Sequence, residues 1–155
     1  MARLVQINIS PGGVPKRPVE AAEVRAPGLV GDGHSDPRHG GPEAALCLFS
    51  AELIRALQAE GHPIFPGSTG ENLTIEGLDW NQVRPGTRIR FASGVEIEVT
   101  RYTTPCSTIR GSFLDGQMNR VKQALHPGWS RVYAKVLAPG MLRRAEEVEL
   151  LGGPD

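Results

Sequence analysis

Apolar and polar residues alternate at the start of the chain, where Val5, Ile7 and Ile9 are separated by Gln6 and Asn8. This two-residue period predicts a strand with one buried face, and Ser10-Pro11-Gly12-Gly13 closes it. Residues 19–24 form a second expected strand, and the short apolar run 44–49 a third. The period then changes. In SAELIRALQAEG, residues 50–61, Leu53, Ile54 and Leu57 make one apolar stripe. Ser50 suits the N-cap, and Gly61 followed by His62-Pro63 stops the helix. Strand-like runs return at 73–75, 87–91 and 95–99; the last two flank Ser93-Gly94 and read as a hairpin. Met118, Val121 and Leu125 predict a helix within 112–125, although Gly116 counts against it. Residues 130–137, 141–143 and 147–151 complete the expected strands.

Short strands thus outnumber the one clear helix and do not alternate regularly with helices, which disfavours a doubly wound parallel sheet. The expected fold is mainly β, a mostly antiparallel, barrel-like structure with a few helices, forming one domain over residues 1–155. Composition agrees: 19 glycines and 13 prolines make up about a fifth of the chain, enough punctuation for many turns. Seventeen basic and seventeen acidic side chains balance, so neither nucleic acid nor a membrane surface is an expected partner. No run reaches the ~18 apolar residues of a membrane span, and Met1-Ala-Arg-Leu-Val-Gln6 lacks the apolar core of a signal peptide. A cytoplasmic location is the expectation. Cys47 and Cys106 show no CxxC or His/Cys spacing suited to zinc, and a reducing compartment argues against a disulfide between them.

The stretch EVTRYTTPCSTIRG, residues 98–111, carries the most suggestive chemistry. Thr104 is driven toward extended geometry by the proline after it, and Pro105 ends ladder pairing. Cys106 therefore falls at a strand's end. From Arg101 to Lys135 six basic residues face a single acid, Asp115, and positive surroundings lower a thiol pKa. These residues fit a presented, functional thiol and an inert buried one equally well. Cys47, inside Leu46-Cys47-Leu48-Phe49, reads as core filler.

Three loops add candidate binding groups. In GDGHSDPRHGGP, residues 31–42, Gly40 and Gly41 permit close backbone approach to an anion, with Arg38 and His39 as donors beside them. The same loop also reads as a long surface turn in which Asp32 and Asp36 bond local backbone. GSTGEN, residues 67–72, offers Asn72 to a ligand or to its own turn. HPGWSR, residues 126–131, offers Trp129 as a pocket wall or core residue and Arg131 as a phosphate fork. The few lysines, Lys16, Lys122 and Lys135, give no setting for a self-contained pyridoxal-phosphate site.

Taken in order, GLVGDGHSDPRHGGPEAALCLFS, GSTGENLTIEGLDW, VRPGTRIRF with EVTRYTTPC, and HPGWSRVYAKVL resemble a MOSC domain, the molybdenum-cofactor sulfurase C-terminal type, closest to small stand-alone bacterial members. The resemblance runs from about Gly28 to Leu151. It implies a MOSC / PK beta-barrel-like fold with Cys106 as signature residue and metal ligand. It also implies a molybdenum cofactor of the molybdopterin type, held by Arg38, His39, Gly40, Gly41, Asn72, Thr108, Arg110 and Arg131. Two roles follow from it. One is reduction of N-hydroxylated small molecules, with Cys106 catalytic and electrons from a redox partner protein. The other is non-catalytic carriage of sulfur or cofactor, loaded by a cysteine desulfurase. One departure is Thr87, where many members have aspartate after Pro-Gly; it lies in a turn and is expected to affect only the hairpin.

Overall fold

Residues 1–33 and 41–152 are described by the computed structural model. Among them are eleven strands, one α-helix and five short 3₁₀ turns. The strands are β1 (Ala2–Ile9), β2 (Arg17–Val19), β3 (Ala21–Arg25), β4 (Gly28–Leu29), β5 (Leu46–Ser50), β6 (Leu73–Glu76), β7 (Arg88–Phe91), β8 (Glu96–Tyr102), β9 (Val132–Ala138), β10 (Gly140–Arg143) and β11 (Glu147–Gly152). The main sheet runs β11-β7-β8-β9-β5-β6-β1-β2, and β11 also pairs with β1. That last pairing closes a barrel and leaves β2 on its flank, which removes most of the exposed edge. Strands β10, β3 and β4 form a separate three-stranded sheet.

All barrel pairs are antiparallel except β5 with β6. Parallel neighbours need a crossover, and α1 (Ala51–Ala59) supplies it. Ser50 caps this helix as its sequence predicts, accepting from the Leu53 N–H at 3.2 Å. Ile54 and Leu57 pack into the core, and Gly61 ends the last turn at φ 97°, a left-handed geometry that favours glycine. Ser50→Ala should lower stability by about 1 kcal/mol through loss of the cap; a urea midpoint shift with an unchanged slope would register it.

Three expectations are corrected. The alternation of Val5, Ile7 and Ile9 does not mark one buried face, because the β1–β6 register shifts between Leu4 and Gln6. The strand therefore sends Leu4 and Ile7 into the core. Asn8 is buried as well, its amide donating to Glu71 O at 3.1 Å and Thr74 Oγ1 at 3.2 Å. Residues 112–125 are not an α-helix. They break into 3₁₀ turns at Ser107–Ser112, Leu114–Gly116 and Met118–Val121. Asp115 and Gly116 take positive φ of 53° and 68°, which interrupts any helical ladder. The expected strand over 19–24 divides into β2 and β3 at Glu20.

The hairpin β7–β8 forms as expected, with Ile89 opposite Ile97. Thr87 is buried in the turn before it and donates to Gln82 O at 2.9 Å, so the threonine at this position serves that turn. The contiguous core fills the barrel with residues such as Leu46, Leu48, Leu73, Ile89, Ile97 and Val132. Each such side chain contributes about 1.5–3 kcal/mol through burial.

Candidate functional site

The route to the site begins where β8 stops. Thr103 still donates its N–H to Arg131 O at 3.1 Å. Pro105 has no N–H to offer, and Cys106 follows in extended backbone before the turn Ser107–Ser112. The thiol is thus set at a strand end, partly exposed, with Thr108 Oγ1 2.8 Å from its Sγ.

Cys106 opens onto a solvent-open cleft, with about 680 Å³ of space in and immediately outside it. It is walled by the Gly13-Val14 loop, by Thr69-Gly70, by Cys47 and Asn72, and by Arg131 and Tyr133. Glycine lets these walls approach. A Cβ on Gly70 would come within 3.1 Å of Val14 Cγ1, and one on Gly67 within 2.4 Å of Lys16 O. Gly67 and Gly70 also hold φ of 90° and 82°, so the GSTGEN loop needs glycine twice over.

Arg131 is 6 % exposed and lies just before β9. One terminal nitrogen donates to Thr69 O at 2.7 Å, while its Nε is buried with no partner among the described residues. An orphaned donor on a buried guanidinium is costly. Behind it, Glu71 is fully buried and accepts from Thr69 Oγ1 at 2.9 Å. Burial pushes its carboxyl above the usual range, against the opposing pull of nearby hydrogen bonds and Arg131.

A buried ion pair braces the opposite wall. Lys16 Nζ sits 2.7 and 2.8 Å from the two oxygens of Asp32. Asp32 also accepts from Ser10 N at 3.0 Å and Asn72 Nδ2 at 2.9 Å. These partners lie 22 and 40 positions away, so Asp32 is a long-range anchor. Asn72 is fully engaged too: its Oδ1 accepts from Cys47 N at 3.0 Å and its Nδ2 also donates to Asn8 O at 3.2 Å.

Cys47 is buried, as its apolar run predicts, yet it lines the cleft while Leu46 and Leu48 beside it enter the core. Desolvation pushes its thiol up to about 11. Tyr133, opposite Cys47 in the β5–β9 register, is likewise raised to about 12, chiefly by burial. At pH 8 Cys47 is therefore almost wholly protonated as well as shielded. Iodoacetamide should modify Cys106 alone in the native protein, and Cys47 only after denaturation; peptide mass spectrometry reads the two sites. Comparable native labelling of both would contradict the burial of Cys47.

The cleft unites four of the sequence candidates: Cys106, Thr108, Asn72 and Arg131. Gly41 is exposed at the start of the turn Pro42–Ala44 and does not line it. Arg110 is exposed and crosses Gly116, where a Cβ would meet its Cγ at 2.8 Å. Arg38, His39 and Gly40 lie outside the described residues. Trp129 is no cleft wall: it lies under the Arg120 guanidinium at 3.9 Å, and Arg120 pairs with Glu60 at 2.8 Å. Lys16, Thr69, Cys47 and Tyr133 were not legible as cleft residues. For Tyr133 and Cys47 one signal existed, since each alternates with residues of the barrel interior.

No group of three or more His, Cys, Asp or Glu residues among those described is arranged to hold a metal unaided. Among the described residues no helix is long and apolar enough to cross a membrane.

The model of the MOSC domain family matches residues 35–149. YflK of Bacillus subtilis is 30 % identical over 142 residues, covering 90 % of this chain and 63 % of YflK. YiiM of Escherichia coli is 28 % identical over 130 residues, covering 80 % of this chain and 56 % of YiiM. A protein named reductase from Gibberella moniliformis is 26 % identical over 134 residues, covering 83 % of this chain but only 23 % of the fungal protein. The chain thus spans less than two thirds of the length of these relatives. In fold, it matches crystal structures of YuaD from B. subtilis (TM-score 0.74, 19 % identity, 96 % of this chain and 94 % of that one). It also matches YiiM from Geobacillus stearothermophilus (TM-score 0.74, 23 % identity, 97 % and 75 %).

Proposed function

The chain belongs to the MOSC domain family, and from that premise we propose that it binds a molybdenum cofactor in the Cys106 cleft and reduces N-hydroxylated small molecules. The observation that carries the reading is the pairing of two features across one cleft. A presented thiol stands at the mouth, and a buried guanidinium with an unsatisfied Nε stands in the wall.

These residues fit such a group. Its metal is held by soft dithiolene sulfurs, and the Cys106 thiolate is the matching soft donor. The described residues form no metal cage of their own, and this cofactor brings its own metal ligands. Its phosphate suits Arg131, whose orphaned Nε lacks an acceptor. Arg38, His39 and Gly40 are further proposed contacts, with Thr108 steadying the Cys106 sulfur and Asn72 holding the wall beside it.

When bound, the cofactor supplies the two-electron centre at which an N–O bond is cleaved. The chain's own part is to hold and orient. Cys106 would hold the metal, Arg131 would take the anionic end, and the buried Lys16–Asp32–Asn72 network ties the walls together. Electrons would come from a redox partner protein. Among the similar proteins, one bears the name reductase, which supports this class of chemistry.

A second reading has its own support. Cys106 is partly exposed, so a cysteine desulfurase could reach its sulfur and the domain would carry a persulfide or the cofactor to another enzyme. One experiment separates the two. Protein from a cofactor-competent host is analysed for molybdenum and assayed with benzamidoxime and reduced viologen. Stoichiometric metal and turnover support the reductase. Absence of metal from folded protein removes it, and a Cys106 persulfide after desulfurase treatment then favours the carrier.

A further inference from the structure

Tyr133 is held in place by its ring and left uncommitted at its hydroxyl. It sits on β9 directly opposite Cys47 of β5 and Arg101 of β8. Its neighbours Val132 and Ala134 are fully buried in the core, so strand alternation turns Tyr133 outward, onto the wall it shares with Cys106. The Arg101 guanidinium lies 5.0 Å from the ring centroid, a cation–π contact that fixes the ring. The hydroxyl, by contrast, donates to no described residue. Tyr133 is half-buried, and a tyrosine whose hydroxyl stays open to a cleft offers that O–H to an entering ligand.

Apart from the exposed Thr104, the other polar side chains described in the cleft lining are already engaged. Lys16 gives two hydrogen bonds to Asp32, and Asn72 is spent on Asn8, Asp32 and Cys47. The Thr69 hydroxyl serves Glu71, and Thr108 serves Cys106. Arg131 retains Nε, but a guanidinium only donates and is matched to an anion. A phenol both donates and accepts, as an N–OH group does, so the two can pair.

We infer that Tyr133 recognises the hydroxyl oxygen of the N-hydroxylated substrate, donating its O–H to the oxygen that departs as water. This rests on the reductase reading and adds to it a residue that tells substrate from product. The overall change, N–OH plus two electrons and two protons giving N–H plus water, removes the atom Tyr133 holds. The product then lacks its hydrogen-bond partner, and a site built to bond a hydroxyl discriminates against the ligand without one.

Cofactor-loaded wild type and Tyr133→Phe provide the test, since the exchange keeps the ring under Arg101. Calorimetric titration without reductant compares benzamidoxime with benzamidine, which lacks the oxygen. Tyr133→Phe should weaken benzamidoxime about tenfold and leave benzamidine unchanged, one lost hydrogen bond in a shielded site. With reduced viologen as electron donor, KM for benzamidoxime should rise in parallel, while molybdenum content and Tm stay at wild-type values. Equal benzamidoxime affinity in the two proteins overturns the inference. Parallel weakening of both ligands, or loss of molybdenum, also overturns it by assigning Tyr133 to the cofactor or the wall. A wild type that holds molybdenum yet neither binds nor reduces benzamidoxime brings down the reductase reading itself.

Discussion

Cys106→Ala is expected to reduce molybdenum retention and amidoxime reduction to background, a loss of at least about a hundredfold in turnover. The size follows from chemistry: the thiolate is the one soft donor presented at the cleft mouth, and alanine leaves no ligand in its place. Stability should hardly change. The Cys106 side chain is partly exposed, and the polar contact it makes is with Thr108 at 2.8 Å. Thermal melts of the variant should therefore overlay the wild type, which separates loss of a ligand from loss of a fold. Cys106→Ser sharpens the result. It keeps the Thr108 hydrogen bond but substitutes a hard oxygen donor, and it should fail nearly as badly. Full metal content and turnover in Cys106→Ala would end the proposed role of this residue.

Lys16→Met carries the largest expected effect on stability, a loss of about 3 kcal/mol or more. Lys16 and Asp32 side chains are 7 % and 2 % exposed, so removing the cation leaves a carboxylate in a dry site. Ser10 N and Asn72 Nδ2 still donate to Asp32, which keeps the loss toward the lower end of the range for broken buried pairs. Pairing Lys16→Met with Asp32→Asn should recover much of it, because the stranded charge is then gone. Urea denaturation of the two single variants and the double variant supplies the cycle. Near-additive losses would show that the two side chains do not act as a pair. The consequence reaches the site as well. Lys16 N donates to Gly67 O at 2.9 Å, so the braced segment joins the Gly13-Val14 wall to the GSTGEN loop.

Local signals placed the pieces of this protein well. The strand ending at Pro105 and the helix capped by Ser50 both depend on residues within a few positions of one another, where backbone sterics and capping act. The resemblance carried by the HGGP, GEN and TTPC blocks gave the family, which the match over residues 35–149 shows. Local signals failed where another part of the chain intervened. Periodicity at Met118, Val121 and Leu125 suggested a helix, but these residues fold as turns pinned from outside. Arg120 is clamped to Glu60 at 2.8 Å and Leu114 N donates to His62 Nδ1 at 3.0 Å. Val5, Ile7 and Ile9 misread their strand because one register shift against β6 reassigns its faces.

What the sequence by itself determined is therefore the local grammar: a thiol placed after a strand and a proline stop, glycines where the chain must turn, and a mainly β fold. Tertiary structure alone decided which groups share the cleft. Arg131 meets Thr69 across 62 positions, Asp32 meets Asn72 across 40, and Lys16 meets Asp32 across 16. All of these separations lie far beyond the few positions over which helical or strand periodicity acts. They arise when β11 joins β1, β5 lies parallel to β6, and β9 sets Tyr133 beside Cys47. Barrel closure and strand register set those distances, and both are consequences of burying the core as a whole.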